Sequence, residues 1–209
     1  MKCNLDCTYC PSDLYGGGHD NSTNHPPLDE CLKAIDFMYQ YADSVMESRI
    51  TGLRHVVLNV YGGESLHHPN IEEILAQVRK RYEPYSSRWS LTVTTTTNLI
   101  VTDRKLQKII PYIDEFTASY HTEASDKQKE QFKSNVLTVK AAGKRLKCVV
   151  LMHADAELFQ DAQDQIEWCQ TNNIQYLPKQ LDHAVSDTQF NYNKQQVDRK
   201  STRLNSSHT

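Results

Sequence analysis

Strand-like and helix-like segments alternate along most of this 209-residue chain, and that alternation limits the fold more than any single motif. After Pro26 and Pro27, Leu28, Leu32, Ile35, Tyr39, Ala42 and Met46 recur at steps of three or four, which predicts a helix over 28–46. The β-branched run 55–61 reads as a strand. Asn70 reads as the cap of the next helix, with Glu73 in the capping-box position and Ile71, Ile74, Leu75 and Val78 facing inward. A strand follows over 91–97, then a short helix opened by Asp103 and stopped by Pro111, then a strand over 114–120. Ser125 caps a helix through Phe132, Val136 and Val139 that ends at Gly143, and 146–152 is another strand. Leu158, Ala162, Ile166 and Cys169 mark a last helix ending at Asn172-Asn173, before a final strand over 174–181. Strands joined by helical crossovers give an α/β fold with a parallel sheet, either doubly wound or closed as a barrel. Periodicity does not choose between the two.

The net charge of -3 excludes a polycationic nucleic-acid surface. The longest purely aliphatic or sulfur-containing run, 148–152, is far short of the roughly 20 residues a spanning helix needs, so no membrane role is expected. The first residues lack the apolar stretch of a secretory signal, which predicts a reducing, cytoplasmic setting and makes the six cysteines a question about metals. Gly16, Gly17 and Gly18 open a polar stretch read as a surface loop. Residues 198–209 look like the translation of a sequencing adapter and are set aside as non-native; without them the charge moves to -5, since they carry three basic residues and one acid.

Cys3, Cys7 and Cys10 stand in the spacing C-x3-C-x2-C. A structural zinc site wants four ligands, usually in two pairs, and a disulfide scaffold wants an even count. Three thiolates on one loop can instead bind three irons of a four-iron cluster and leave the fourth open. A zinc site completed by a distant His or Cys, and three unrelated thiols, stay open beside it. Tyr9 stands one place before Cys10, and the 55–61 strand runs directly into Gly62-Gly63-Glu64-Ser65.

With those residues the chain resembles the radical S-adenosylmethionine (SAM) superfamily, through its C-x3-C-x-aromatic-C loop and its GGE-type motif. Ser65 stands where a proline often follows. The resemblance covers residues 1–181 and implies a partial (β/α)6 barrel of the TIM type, with cluster and SAM at the carboxyl ends of the strands. It implies that Cys3, Cys7 and Cys10 hold a 4Fe–4S cluster, that Tyr9 lies near the adenine, and that Gly62, Gly63 and Glu64 meet the methionyl amino group. One electron from the reduced cluster would cleave SAM to a 5'-deoxyadenosyl radical that abstracts a substrate hydrogen. An electron donor such as flavodoxin or ferredoxin is implied as partner; the substrate, whether peptide, protein or small molecule, is not. Because the cluster loop should follow a first barrel strand and only Met1 and Lys2 precede Cys3, the chain reads as a fragment without that strand, with 182–197 starting a continuation. The runner-up function is a non-catalytic zinc or iron–sulfur module in which the thiols, with His121, serve structure.

Asn98 ends the third strand where the family often places a polar residue near SAM; a plain strand-ending turn is the other reading. Ser119 and His121 alternate to one face, either into the barrel mouth or toward solvent. Met152, His153, Lys179 and Gln180 lie near strand ends, where any of them could line SAM or substrate, and read first as ordinary loop-edge residues. Cys31, Cys148 and Cys169 read as packed thiols, and His67-His68-Pro69 as a solvated turn.

Overall fold

The computed structural model describes residues 3–5, 7–9, 25–47, 54–181, 191–193 and 196. Cys10, the glycine run 16–18, most of 182–197 and the tail 198–209 lie outside them. The element order is α1 (Leu28–Glu47), β1 (His55–Val60), α2 (Ile71–Tyr82), β2 (Ser90–Thr97), α3 (Asp103–Ile109), β3 (Glu115–Tyr120), α4 (Asp126–Ala141), β4 (Arg145–Met152), α5 (Ala156–Thr171) and β5 (Gln175–Gln180). The expected alternation is present throughout, with ends displaced by a residue or two.

The five strands form one wholly parallel sheet in sequence order, β1-β2-β3-β4-β5. Because side chains alternate along a strand, the sheet has two unlike faces. One face, carrying Val93, Phe116, Ala118, Cys148 and Val150, is buried in a single core with Ile74, Leu75, Phe132, Val136 and Ile166 of the helices. The other face is polar and largely open among the described residues, with Val57 56% and Leu177 40% exposed. The pairings Asn59↔Thr94, Thr96↔Thr117 and Ser119↔Val149 run along that open face. Among the described residues the five strands form an open parallel sheet covered on one side. Pro178 is tolerated in β5 because among the described residues that strand is an edge paired with β4 alone.

Several local expectations are corrected. Asn70 makes no side-chain cap and Glu73 closes no capping box. Instead, the Asn70 backbone N–H donates to Nδ1 of His68 at 3.0 Å, and Glu73 accepts from Gln77. His68 is therefore not a solvated turn residue: it is buried, and its Nε2 meets the Pro26 carbonyl at 2.9 Å. α3 does open at Asp103, and Thr102 before it supplies the cap through the Lys105 N–H. The α-helix ends at Ile109, just ahead of Pro111, which sits inside a following 3-10 turn, Ile110–Tyr112. Asp114 stays outside β3 because its carboxylate accepts the Val93 N–H at 2.7 Å and pairs with Arg79 at 2.7 Å.

The Ser125–Gln128 capping box forms at the start of α4, and Gly143 and Asn173 end α4 and α5 with φ of 69° and 51°. Both end residues adopt the left-handed conformation that glycine and asparagine tolerate best. Midway along α1, Tyr39 is buried and donates to the Val78 carbonyl at 2.9 Å, which fixes α1 on α2. No helix among the described residues is long and apolar enough to cross a membrane.

Candidate cofactor site at the carboxyl ends of the strands

Residues 3–5 and 7–9 lie at the carboxyl end of the sheet, held by contacts to four separate segments. Cys7 and Tyr9 are buried in a small apolar cluster with Leu151 and Leu181, at the ends of β4 and β5, against which Leu5 and Tyr192 also pack. Tyr192 closes that cluster: its hydroxyl donates to the Met152 carbonyl at 2.6 Å and accepts the Leu181 N–H at 3.0 Å. Asn4 accepts from Asn98 Nδ2 at 2.7 Å and donates to the Ile100 carbonyl at 3.2 Å, which ties the loop to the turn after β2. Thr8 bonds Glu123, N–H to Oε2 at 2.9 Å and hydroxyl to Oε1 at 2.5 Å, which ties it to the turn after β3. Gln128 Nε2 donates to the Asn4 carbonyl at 3.4 Å from the first turn of α4.

His121, just past β3, faces this loop. Its Nδ1 lies 3.3 Å from Cys7 Sγ and 3.0 Å from the Tyr9 hydroxyl, and its ring plane is 7° from that of Tyr9. Burial pushes its pKa down to about 4, so the ring is neutral near pH 7. A neutral ring with Nδ1 between a thiol and a phenol is assigned the Nε2–H tautomer, with Nδ1 accepting. Of the two readings of the Ser119/His121 alternation, the inward one fits His121. Ser119 is half-buried on the open face, one alternate position before it.

The Gly62-Gly63-Glu64 turn stands at the end of β1. Gly62 has φ 117° and Gly63 φ 45°, backbone conformations that a side chain would strain, so both glycines are required by the turn itself. Glu64 is 1% exposed and its carboxylate is taken up within the protein. Oε1 accepts the Leu66 N–H at 3.0 Å and the Thr97 hydroxyl at 2.7 Å, and Oε2 accepts the Asn98 N–H at 2.6 Å. Burial raises its pKa, against the pull of those three donors. Asn98 is buried too, and its Oδ1 accepts the Ile100 N–H at 3.0 Å. Asn98 thus joins the glycine turn to the cysteine loop, its Nδ2 lying 4.0 Å from Cys3 Sγ.

Leu99, the next residue, is fully buried with φ 54°, a conformation costing an L-residue of order 1–3 kcal/mol. Its carbonyl and that of Val101 both accept from Asn135 Nδ2, each at 2.8 Å. Among the described residues no group of three His, Cys, Asp or Glu side chains could hold a metal ion; Cys10 is outside them. Cys148 of β4 and Cys169 of α5 are buried in the main core, separate from the small cluster that holds Cys7. The Cys148 thiol is pushed up by its contact with Cys169 and by burial, which makes it a poor ligand.

No known family profile and no curated protein matches the sequence. Solved structures do. The anaerobic sulfatase-maturating enzyme anSMEcpe, in its native form with bound S-adenosylmethionine (AdoMet) and the Kp18Cys peptide, superposes with a TM-score of 0.59 at 13% identity. The fold is shared with a radical SAM enzyme. The match covers 86% of this chain and 48% of that one, so this chain spans about half the length of its structural relative. The histidine-tagged form with bound AdoMet gives the same TM-score, identity and coverage. The α/β expectation and the likeness to radical SAM structures are borne out at the level of a five-stranded parallel sheet.

Asn4, Glu123, Gln128, Asn135 and Tyr192 are the residues here that sequence reasoning missed. Only Asn135 carried a signal, as a polar residue on the apolar face marked by Phe132, Val136 and Val139.

Proposed function

We propose that this chain is the core of a radical SAM enzyme, with Cys3, Cys7 and Cys10 as ligands of a 4Fe–4S cluster. The packing of residues 3–5 and 7–9 on the carboxyl ends of parallel strands supports this most directly, since that end is where parallel α/β barrels carry their chemistry. The donor set fits the group: two of the three thiols stand there, Cys7 buried and Cys3 half-buried, on a loop fixed from four sides. The structural relative, solved with AdoMet bound, supports the same ligand here. When bound, the cluster and SAM supply reductive cleavage to a 5'-deoxyadenosyl radical.

The chain's own residues do the holding and the shielding. Gly62 and Gly63 offer bare backbone for close approach of the methionyl end, while Glu64 acts from behind, holding the glycine turn to Asn98. Tyr9 and His121 form a flat wall beside Cys7 that limits water there. The polar open face, including Ser119, is where SAM and a substrate would lie. A one-electron donor of the flavodoxin or ferredoxin class is the proposed partner, and a peptide, of the kind bound in the relative, is one candidate substrate.

A second reading has one observation in its favour. His121 Nδ1 lies 3.3 Å from Cys7 Sγ, which is compatible with a structural zinc site of thiols and one imidazole. Anaerobic purification and reconstitution separates the two. A brown protein that forms 5'-deoxyadenosine from SAM with a strong reductant supports the enzyme; a colourless, zinc-loaded protein without turnover supports the module.

A further inference from the structure

Asn135 stands on the apolar face of α4 between Phe132 and Val136 and is fully buried. Its amide nitrogen serves two carbonyls, of Leu99 and Val101, at 2.8 Å each. Its Oδ1 accepts from Gln131 Nε2 at 3.1 Å, and Gln131 also donates to Asp103 at 2.9 Å. Gln128, on the same helix face, reaches the Asn4 carbonyl at 3.4 Å. One stripe of amides therefore touches the cysteine loop, the turn after β2 and the start of α3.

Two carbonyls two residues apart reach a single donor because the chain turns back at Leu99, whose φ is 54°. That turn gives Asn98 its aim: its N–H points at Glu64 and its side chain at Asn4. We infer that Asn135 is a positioning residue for the cysteine loop, holding Leu99 in its left-handed conformation so that Asn98 keeps both the glycine turn and Asn4 in place. The consequence for SAM binding rests on the function proposed above; the local geometry does not.

The test is amide hydrogen exchange on the full chain, wild type against Asn135→Ala, well below both melting transitions. Losing buried bonds of this kind predicts about tenfold faster exchange in segments 64–66 and 97–101, with β3 and β4 unchanged. In the Leu99→Gly background, where glycine takes positive φ unaided, Asn135→Ala should speed those segments less than about threefold. In anaerobically reconstituted protein, Asn135→Ala should weaken SAM binding about tenfold at unchanged iron content. Should Asn135→Ala not fold, Asn135→Ser, which keeps one donor, is read in the same way. Uniformly faster exchange across the sheet, or an undiminished effect in the Leu99→Gly background, would overturn the inference. Local exchange effects as stated in a wild type that binds neither iron nor SAM would sink the cofactor reading and still support the positioning role.

Discussion

Asn98 Nδ2 donates to Asn4 Oδ1 at 2.7 Å, joining residues 94 positions apart in sequence. The bond links the turn after β2 to the loop that carries Cys3 and Cys7. Since the Asn98 N–H also meets Glu64 at 2.6 Å, one residue connects the two motifs that suggested the function.

Asn98→Ala leaves Asn4 Oδ1 without its Asn98 donor and the Ile100 N–H without its acceptor in a half-buried place. The expected loss is about 1–3 kcal/mol of stability by denaturant titration. The backbone N–H to Glu64 is retained, so the variant should still fold. A loss below about 0.5 kcal/mol would show the Asn4–Asn98 bond to be dispensable.

Glu64 gives a pH signature. Burial raises its folded pKa above the unfolded value, so the folded chain takes up a proton at higher pH than the unfolded chain does. Its share of stability therefore rises as pH falls through the folded pKa, and levels off below the ordinary carboxyl value. Relative to Glu64→Gln, the wild type should gain stability as pH is lowered from neutral toward the ordinary glutamate pKa of about 4.3. A constant difference over that range would contradict the raised pKa.

The order of elements was legible because short β-branched runs mark the strands and apolar residues recur at steps of three to four in the helices. The element ends were less so. At Asn70 a histidine ring two residues earlier takes the backbone N–H that a capping residue would leave free, which no local pattern announces. The carboxyl-end site was half legible. Cysteine spacing and the paired glycines stand out in sequence, whereas Asn4 and Glu123 look like any loop residue until the fold sets Thr8 beside Glu123, 115 positions away. The threonines of β2 also hid their faces: Thr95 and Thr97 are buried because their hydroxyls donate to the Val60 carbonyl and to Glu64, while Thr96 is exposed.

Gly62 offers a separate check on the turn. At φ 117° a β-branched side chain is strained, so Gly62→Val should cost at least about 1–3 kcal/mol and lower the melting temperature. A melting temperature equal to wild type would mean that the turn differs from the one described.

Cys148 and Cys169 are fully buried in the main core, not in the cluster that holds Cys7. Cys148→Ala and Cys169→Ala should each lower stability by about 1–2 kcal/mol and leave iron content after reconstitution unchanged. Iron lost in step with either substitution would make the pair ligands after all.

Iron and sulfide content after anaerobic reconstitution, wild type against Cys7→Ala, bears most directly on the central claim. The wild type should load a 4Fe–4S cluster, shown by its brown absorbance and by an electron paramagnetic resonance signal that changes when SAM is added to the reduced protein. Cys7→Ala should lose both. Near-full iron in Cys7→Ala, or a colourless wild type carrying zinc and indifferent to SAM, would contradict the account.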